Sequence, residues 1–361
     1  MRLPASALDC LTNGSHPSCV SKASCSGVSA RFAGRLNGSG LLIANPPYFT
    51  LERLQAWLPE LKSALAVGSA GGASARMLSQ SELMGTALDQ YGVIGHPVGH
   101  SLSPFIHGMF ARDCGQNISY RLYDVAPGEF HARVRAFFAQ GGRGLNVTLP
   151  HKIAAVDVAH ELTPRAAHAA AVNTLAARAD GILGDNTDGA GLVRDLCDNL
   201  GLVITHRRVL VIGAGGATRG ILGPLLGLAP EVVVIANRTA QRAETLAAAF
   251  CDLGAVQGVG FAQLEAAPFD LIVNATSASL AGELPPFPPE VIGPQTVCYD
   301  LAYGKSATAF LEWATRQGCA RALQGWGMLV EQAAESFRLW HGVRPTTAHV
   351  LAALKERRGS A

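Results

Sequence analysis

The stretch VLVIGAGGATRG, residues 209–220, constrains the fold more than any other part of the sequence. An apolar run typical of a buried strand is followed at once by glycines and then by a helical pattern. In this order Gly213 permits a sharp turn, Gly215 lets backbone amides approach a diphosphate, and the helix N-terminus faces the anion. Thr218 stands where the G-x-G-x-x-G pattern has its third glycine. The stretch therefore indicates either a dinucleotide-binding unit or an ordinary strand–turn–helix.

The next apolar run, VVVIANRT, favours the dinucleotide interpretation and selects the cofactor. An NAD site usually places an Asp or Glu at the end of this strand to bind the ribose diol. Here the strand ends in Asn237, Arg238 and Thr239, and Arg242 follows one helical turn later. A carboxylate would repel a 2′-phosphate, whereas arginines bind one bidentately. The pattern predicts NADP, and the alternative is a pair of solvated arginines at a helix start.

Strand and helix patterns alternate from Tyr91 onward, which predicts an α/β fold with mostly parallel sheets. The chain has 361 residues, 48% of them hydrophobic, and this length suggests two domains or more. A second strand–helix series begins near Arg207, and two helical patterns without a strand between them close the chain. We therefore expect two α/β units, of which the second is a doubly wound, Rossmann-type domain.

Composition excludes several classes of protein. The net charge is +2 and no long Lys/Arg stripe occurs, so no nucleic-acid partner is expected. No apolar run has the length of a membrane span. The eight cysteines are scattered, without a CxxC pair or a Cys/His cluster at zinc spacing. We interpret them as free thiols of a cytoplasmic protein that binds no metal, and the sequence leaves open whether the protein is a monomer or a homodimer.

Residues 1–89 form an extension of a different character. The first thirty or so lack periodicity and predict disorder, and residues 66–89 resemble a flexible linker. Between them NPPY, residues 45–48, matches the signature of amino-methyltransferases, and the segment resembles the C-terminal end of a ribosomal-RNA adenine methyltransferase. No glycine-rich S-adenosylmethionine loop precedes it. An inert remnant is therefore favoured over an RNA-modifying role.

The stretch LNVTLPHK contains a lysine in an unexpected place. Pro150 suits the first position of a helix, which puts Lys152 in the first helical turn. The partial positive charge of a helix start is unfavourable for an ammonium group. Lys152 is therefore either a solvated lysine or a group that releases a proton readily.

Polar residues in three further stretches are candidates for a substrate pocket. The turn GDNTDG carries Asp185 and Asp188 before a helical pattern, although turns of this composition often carry no chemistry. Asn173 lies in an apolar stretch, either as a satisfied core amide or as a pocket donor. Ser101 and Ser103 precede a helix, where a carboxylate would be stabilised, and Ser103 alone would suit an N-cap.

Together these stretches carry a family resemblance. The following motifs occur in this order: GHSLSPFIH, LNVTLPHK, AVNT, GDNTDG, VIGAGGATRG, NRT, NATS and GMLVEQAA. From Tyr91 almost to its end, the chain resembles the shikimate dehydrogenase family, which reduces 3-dehydroshikimate reversibly with NADPH. The chain departs from the family pattern at Ser279, where glycine is common after NATS-x, and in its N-terminal extension.

The resemblance implies roles for individual residues. Lys152 and Asp188 would form a catalytic acid–base pair. The residues implied in substrate binding are Ser101, Ser103 and Tyr303 for the carboxylate, and Thr148, Asn173, Asp188 and Gln332 for the hydroxyls. The residues implied in cofactor binding are Gly213, Ala214, Gly215, Gly216, Ala217, Asn237, Arg238, Thr239, Arg242, Leu301 and Gly325.

The predicted organisation is an extension over residues 1–89, a substrate-binding domain over 90–187 plus 326–361, and an NADP-binding domain over 188–325. The active site is expected in the cleft between these two domains. Three alternatives remain: a quinate/shikimate dehydrogenase of broader specificity, an RNA-modifying role of the NPPY segment, and a cofactor-binding regulatory protein that has lost catalysis.

Overall fold

The structure is a computed structural model in which residues 22–25, 28–31, 88–276, 286, 288–304 and 308–359 are described. The chain divides into two compact units, Met1–Gly85 and Thr86–Ala361. In the first unit, strands β1 (Lys22–Cys25) and β2 (Val28–Arg31) form an antiparallel pair. They lie within the stretch whose composition predicted disorder. The NPPY segment and Ser279 fall outside the described residues.

The second unit begins with a six-stranded sheet. Its strands are β3 (Asp89–Gly95), β4 (Ile118–Asp124), β5 (Gly144–Val147), β6 (Glu161–Leu162), β7 (Thr174–Arg178) and β8 (Gly181–Asp185). Its helices are α1 (Ser103–Asp113), α2 (Phe130–Ala139) and α3 (Pro164–Ala169). The spatial strand order is β4-β3-β5-β7-β8-β6.

This first sheet is mixed. β3 runs parallel to β4 and β5, and β6 runs parallel to β8, but β7 is antiparallel to both β5 and β8. β7 and β8 are joined by only two residues, and a connection this short forces an antiparallel pair. The antiparallel hairpin places Asn173, just before β7, beside the residues that follow β8.

Helix α4 (Asp188–Arg194) continues as a π-helical turn, Asp195–Asn199, and leads to the second sheet. The strands of that sheet are β9 (Arg208–Ile212), β10 (Val232–Asn237), β11 (Val256–Gly260), β12 (Leu271–Asn274), β13 (Val297–Asp300) and β14 (Arg321–Gln324). Its helices are α5 (Gly216–Leu226), α6 (Ala240–Ala248) and α7 (Thr308–Arg316). All its pairings are parallel, in the order β11-β10-β9-β12-β13-β14, so the chain order reverses at β9.

Both faces of the second sheet are covered. Val209 and Val211 of β9 pack into one apolar cluster, whereas Leu210 and Ile212 pack into another on the opposite face. Alternate residues of a strand point to opposite faces, so a continuous apolar run is required when both faces are buried. This confirms the doubly wound, Rossmann-type domain and the two-domain α/β fold.

Helices α8 (Trp326–His341) and α9 (Ala348–Gly359) return to the first sheet. Val330 and Phe337 of α8 share a core with Ile106 and Phe110 of α1. The same helix crosses beside the start of α4, which brings its polar residues Gln332 and Ser336 next to the start of β7. The exact domain boundaries remain a prediction.

The predicted helix starting at Pro150 is wrong. Residues 150–153 form a turn, and a short 3₁₀ helix follows at Ala154–Val158. The Lys152 carbonyl accepts a hydrogen bond of 2.7 Å from the Val172 backbone N–H, a tertiary partner that replaces the helical one. The argument that a helix dipole acts on Lys152 therefore has no basis in the structure.

Among the described residues, no helix combines the length and apolar character needed to cross a lipid bilayer.

Candidate active site

Lys152 and Asp188 meet near the helix that follows the glycine loop. Lys152 Nζ lies 2.5 Å from Asp188 Oδ2, and the two side chains are 14% and 5% exposed. Asp188 is the first residue of α4, whereas Lys152 lies in the turn after β5. A Cβ atom built on Gly216 would lie 3.4 Å from Lys152 Cβ, so the glycine loop and this lysine are direct neighbours. Lys152 and Asp188, 36 residues apart in the sequence, are thus in direct contact, and their catalytic role remains a prediction.

Asn173 supports the carboxylate of this pair. Its Nδ2 donates to Asp188 Oδ1 over 2.9 Å and to Thr187 Oγ1 over 2.8 Å. The backbone N–H of Thr187 donates to Asn173 Oδ1 over 2.8 Å. Because a backbone N–H can only donate, the amide oxygen must face Thr187 and the amide nitrogen must face Asp188. Asn173 is thus a buried amide that holds the Asp188 carboxylate, and its role in binding substrate remains a prediction.

Asn186 is a supporting residue that the sequence did not single out. Its Oδ1 accepts a 3.1 Å hydrogen bond from the Asp188 backbone N–H, and its Nδ2 donates to the Ala171 carbonyl. A Cβ atom on Gly220 of α5 would lie 2.6 Å from Asn186 Oδ1. Asn186 thus fixes the backbone at Asp188 against the helix of the glycine loop. The only sequence signal for Asn186 was an asparagine within a polar turn.

Asp185 has different hydrogen-bond partners from Asp188 and therefore a different role. It is 1% exposed and accepts hydrogen bonds from Arg165 Nε at 2.7 Å and from Thr163 Oγ1 at 2.6 Å. Burial alone would raise the pKa of Asp185, but Arg165 and Thr163 outweigh it and lower the pKa. Thr163 also caps α3 through a contact with the Ala166 N–H. Asp185 therefore holds α3 to the end of β8.

Gln332 and Thr148 lie beside the same group of residues. Gln332 is on α8, and its Oε1 is 3.4 Å from Asn173 Nδ2. Thr148 follows β5, where its backbone N–H donates to the Ile94 carbonyl and its methyl group contacts Gly95. Both side chains are partly exposed. Gln332 is thus joined to the Lys152–Asp188 pair through Asn173.

Ser101 and Ser103 pair with each other at the start of α1, with their oxygens 3.1 Å apart. Ser103 is the first residue of α1, not its N-cap, since Leu102 takes the flanking position without a side-chain cap. The Tyr303 ring lies 4.9 Å from that of Trp326, and burial raises the pKa of its hydroxyl. No hydrogen bond among the described residues joins these three residues to Lys152 or Asp188.

The glycine loop has the geometry of a phosphate cradle. Gly213 has φ +105°, a conformation that favours glycine, and a Cβ atom on Gly215 would meet only open space. Gly216 begins α5, so the free N–H groups of that helix face the opening. Thr218, at the position of the third glycine, is buried and donates a 2.8 Å hydrogen bond to the Gly213 carbonyl. Threonine in place of the third glycine therefore ties the loop to its own helix. Ala214 and Ala217, on either side of Gly215 and Gly216 in the sequence, are half-buried.

The end of β10 presents cations without competing carboxylates. Arg238, Thr239 and Arg242 are exposed, and Asn237 Nδ2 donates to the Thr239 carbonyl over 2.9 Å. Neither arginine forms an ion pair within the described part of the chain. On the other side of β9, Leu301 follows β13, and a Cβ atom on Gly325 would lie 2.7 Å from the Leu301 carbonyl oxygen. This close approach requires glycine at position 325.

Among the described residues, no three His, Cys, Asp or Glu side chains are grouped to hold a metal ion.

Family models match three parts of the chain. A shikimate dehydrogenase substrate-binding domain matches residues 93–175, a shikimate/quinate 5-dehydrogenase model matches 196–281, and a shikimate 5′-dehydrogenase C-terminal domain matches 325–355. The matches run through both sheets and helix α8.

Individual proteins give the same result. Shikimate dehydrogenase (NADP(+)) of Methylococcus capsulatus is 54% identical over 76% of this chain and 99% of its own length. An Ael1 enzyme from Pseudomonas putida is 45% identical, with a TM-score of 0.69 over 74% of this chain and 98% of that one. Shikimate 5-dehydrogenase of Thermus thermophilus, solved with NADP(H) and shikimate, is 30% identical, with a TM-score of 0.64 over 74% and 99% of the chains. The chain therefore belongs to the NADP-dependent shikimate dehydrogenase family, whose members are oxidoreductases acting on a CH–OH group.

Proposed function

We propose that Lys152 and Asp188 are the catalytic pair for the reversible reduction of 3-dehydroshikimate to shikimate. The observation that carries this proposal is the 2.5 Å contact between Lys152 Nζ and Asp188 Oδ2 beside the glycine loop. Hydride addition to a ketone leaves a negative oxygen, so a proton donor must lie within hydrogen-bond reach. NADPH supplies the hydride when bound, and the chain supplies the proton.

Lys152 Nζ would donate its proton to the former keto oxygen, and the neutral amine would then recover a proton from solvent. In the oxidative direction the amine accepts the hydroxyl proton. Asp188 orients the ammonium through Oδ2, while Asn173 holds Oδ1. One Asp188 oxygen therefore stays hydrogen-bonded to Lys152, and Lys152 is the group that transfers the proton.

The substrate carboxylate would be bound by Ser101, Ser103 and Tyr303, all hydrogen-bond donors. The substrate hydroxyls would be bound by Thr148, Asn173, Asp188 and Gln332. Support for the second group is geometric, because Asn173 joins Asp188 to Gln332. Support for the first group is the pairing of the two serines at the start of α1 and the family resemblance.

The cofactor would lie along the edge of the second sheet. Gly213 to Ala217 would bind the diphosphate, and Leu301 and Gly325 would line the nicotinamide. Asn237, Arg238, Thr239 and Arg242 would bind the adenosine 2′-phosphate. The exposed arginines, which form no ion pair with any residue that the structure describes, and the open space at Gly215 fit such a group. We also propose the domain boundaries given above, a cytoplasmic location, and a monomer or homodimer.

A steady-state assay tests the function. Shikimate with NADP should give the highest kcat/KM, and replacing NADP by NAD should lower it at least about tenfold, since the arginines then lose their phosphate. Equal kcat/KM for quinate and shikimate would favour the broader quinate/shikimate dehydrogenase. No turnover of either substrate would contradict the proposal and favour a cofactor-binding protein without catalysis.

Deleting residues 1–88 tests the remaining alternative. The catalytic residues named above all lie beyond this segment, so shikimate kinetics should stay unchanged. Loss of activity in a folded deletion variant would show that the extension contributes to the enzyme.

A further inference from the structure

A buried hydroxyl lies behind the proposed active site. Ser336, on α8, is fully buried, and its Oγ is 2.7 Å from Thr174 Oγ1, 2.9 Å from Asn146 Nδ2 and 3.2 Å from Thr187 Oγ1. These three partners belong to β7, β5 and the residue before α4. We call Asn146, Thr174, Thr187 and Ser336 the Ser336 cluster. The cluster ties α8 to three segments that end at the active site.

The direction of the hydrogen bonds in the cluster can be worked out. Thr174 donates its single hydroxyl proton to Asn173 Oδ1, over 2.8 Å. Ser336 has one hydroxyl proton and two possible acceptors, Thr174 Oγ1 at 2.7 Å and the Gln332 carbonyl at 3.1 Å. Because the Thr174 proton is used on Asn173, the shorter contact is a hydrogen bond only when Ser336 donates to Thr174. Ser336 in turn accepts from Asn146 Nδ2. The bonds therefore run in one direction, from Asn146 through Ser336 and Thr174 to the oxygen of Asn173.

The Tyr120 hydroxyl is the first donor in this series of hydrogen bonds. Its hydroxyl donates to Asn146 Oδ1 over 2.7 Å, which turns the Asn146 amide nitrogen toward Ser336. Burial raises the pKa of Tyr120 well above its usual value, so the phenol keeps its proton. The Ser103 side chain also interacts with this hydroxyl. The series of hydrogen bonds thus reaches from the start of α1 to Asn173.

We propose that Ser336 is a positioning residue that acts through Thr174 to hold the Asn173 amide in the orientation that serves Asp188 and the substrate. The inference rests on the roles proposed above for Asn173 and Asp188. Ser336 touches neither Lys152 nor Asp188, so its effect on catalysis must pass through the cluster. Without the hydroxyl, Thr174 loses its 2.7 Å donor and keeps only the longer, 3.3 Å hydrogen bond from Asn146 Nδ2, so it is held less firmly toward Asn173.

The first test is Ser336→Ala. One buried hydrogen bond is worth about 1 kcal/mol, so kcat/KM for shikimate should fall about fivefold. The KM for shikimate should rise several-fold, because the Asn173 amide is then less well oriented, while the KM for NADP should not change. A merely structural role would reduce the amount of folded enzyme and leave both KM values unchanged, which would overturn the proposal.

The control is Thr296→Val. Thr296, directly before β13, is 1% exposed, and its hydroxyl donates to the Phe269 carbonyl and accepts from the Gly293 N–H. It matches Ser336 in burial but has no contact with the cluster. Thr296→Val should lower thermal stability about as much as Ser336→Ala and leave the KM for shikimate unchanged. An equal rise in that KM in both variants would count against the proposal.

A double-mutant cycle with Thr174→Val tests whether Ser336 acts on Asn173 through Thr174. If Ser336 acts through Thr174, Ser336→Ala should lower kcat/KM less than about twofold in the Thr174→Val background. Independent, multiplicative effects would overturn the inference. If Ser336→Ala does not fold, Ser336→Cys provides the same cycle with a weak donor of similar size. Normal activity of Lys152 or Asn173 variants would refute the proposed function instead, so the two failures are distinguishable.

Discussion

Lys152 Nζ and Asp188 Oδ2 are 2.5 Å apart in a place where Asp188 is almost completely removed from solvent. A buried charge without a partner is costly, so removing either residue would leave the other without its counter-charge. Asn173 completes the arrangement by holding the second carboxylate oxygen. The substrate would therefore meet a preorganised ammonium group and not a mobile surface lysine.

Asp188→Asn should lower kcat at least about 100-fold, the lower range for a group in acid–base catalysis. The amide keeps the size of the side chain but loses the charge that orients Lys152. Steady-state kinetics with shikimate and NADP measure the effect, and circular dichroism confirms the fold. A kcat within threefold of the wild type would show that the carboxylate has no such role.

Asp185→Asn should show the opposite pattern. Breaking its buried pair with Arg165 should lower the free energy of unfolding by about 3 kcal/mol, because the guanidinium loses its charged partner. Its side chain does not contact Lys152, so kcat should stay within about twofold. Urea denaturation and turnover measured on the same preparation give both values. A large loss of kcat with normal stability would reverse the roles assigned to the two aspartates.

Arg238→Ala and Arg242→Ala should each raise the KM for NADP about tenfold, the effect of one charge-assisted hydrogen bond. The KM for NAD should change little, because NAD lacks the 2′-phosphate. Arg316→Ala is a matched control, since Arg316 is also exposed and lies at the end of α7. Equal changes for both cofactors would mean that the arginines do not recognise the phosphate.

His107 should make the protein less stable in acid. Its ring is fully buried and stacked on Tyr120 at 4.5 Å, and burial lowers its pKa from 6.5 to about 3. Between these two pH values the unfolded chain binds a proton that the folded protein does not, so stability falls as pH falls from 6.5 toward 3. The slope from this group is roughly 1 kcal/mol per pH unit.

Replacing His107 by Phe keeps a ring in the stack and removes the titration. The difference in unfolding free energy between this variant and the wild type should therefore vary with pH below 6.5 and be constant above it. Chemical denaturation at a series of pH values measures this difference. A pH-independent difference would show that His107 does not titrate on unfolding.

The glycine loop was predictable because its signal is local. The strand, the turn and the helix start all lie within residues 209–220, and Gly213 takes the positive φ that favours glycine. The arginines after β10 were predictable for the same reason. Lys152 and Asp188 were named through the family resemblance, and their contact depends on how two distant segments pack.

The remaining features depend on long-range contacts. Pro150 suggested a helix, but the Lys152 carbonyl bonds to Val172 instead, and no local pattern records that partner. The turn GDNTDG did not show which aspartate was structural. Asp185 has that role because it is bound by Arg165, which lies 20 residues away in the sequence. Ser336 lies 162 residues from Thr174, so its place behind the site appears only in the folded protein.

The most direct test of the account is Lys152→Ala, measured for turnover and for binding on the same preparation. Turnover of shikimate with NADP should fall by about two to four orders of magnitude, the range for losing a general acid–base group. Binding of shikimate and NADP, followed by calorimetry, should persist because other residues hold both molecules. Near-normal turnover in this variant would contradict the assignment of Lys152 as the proton-transferring group, and with it the catalytic pair.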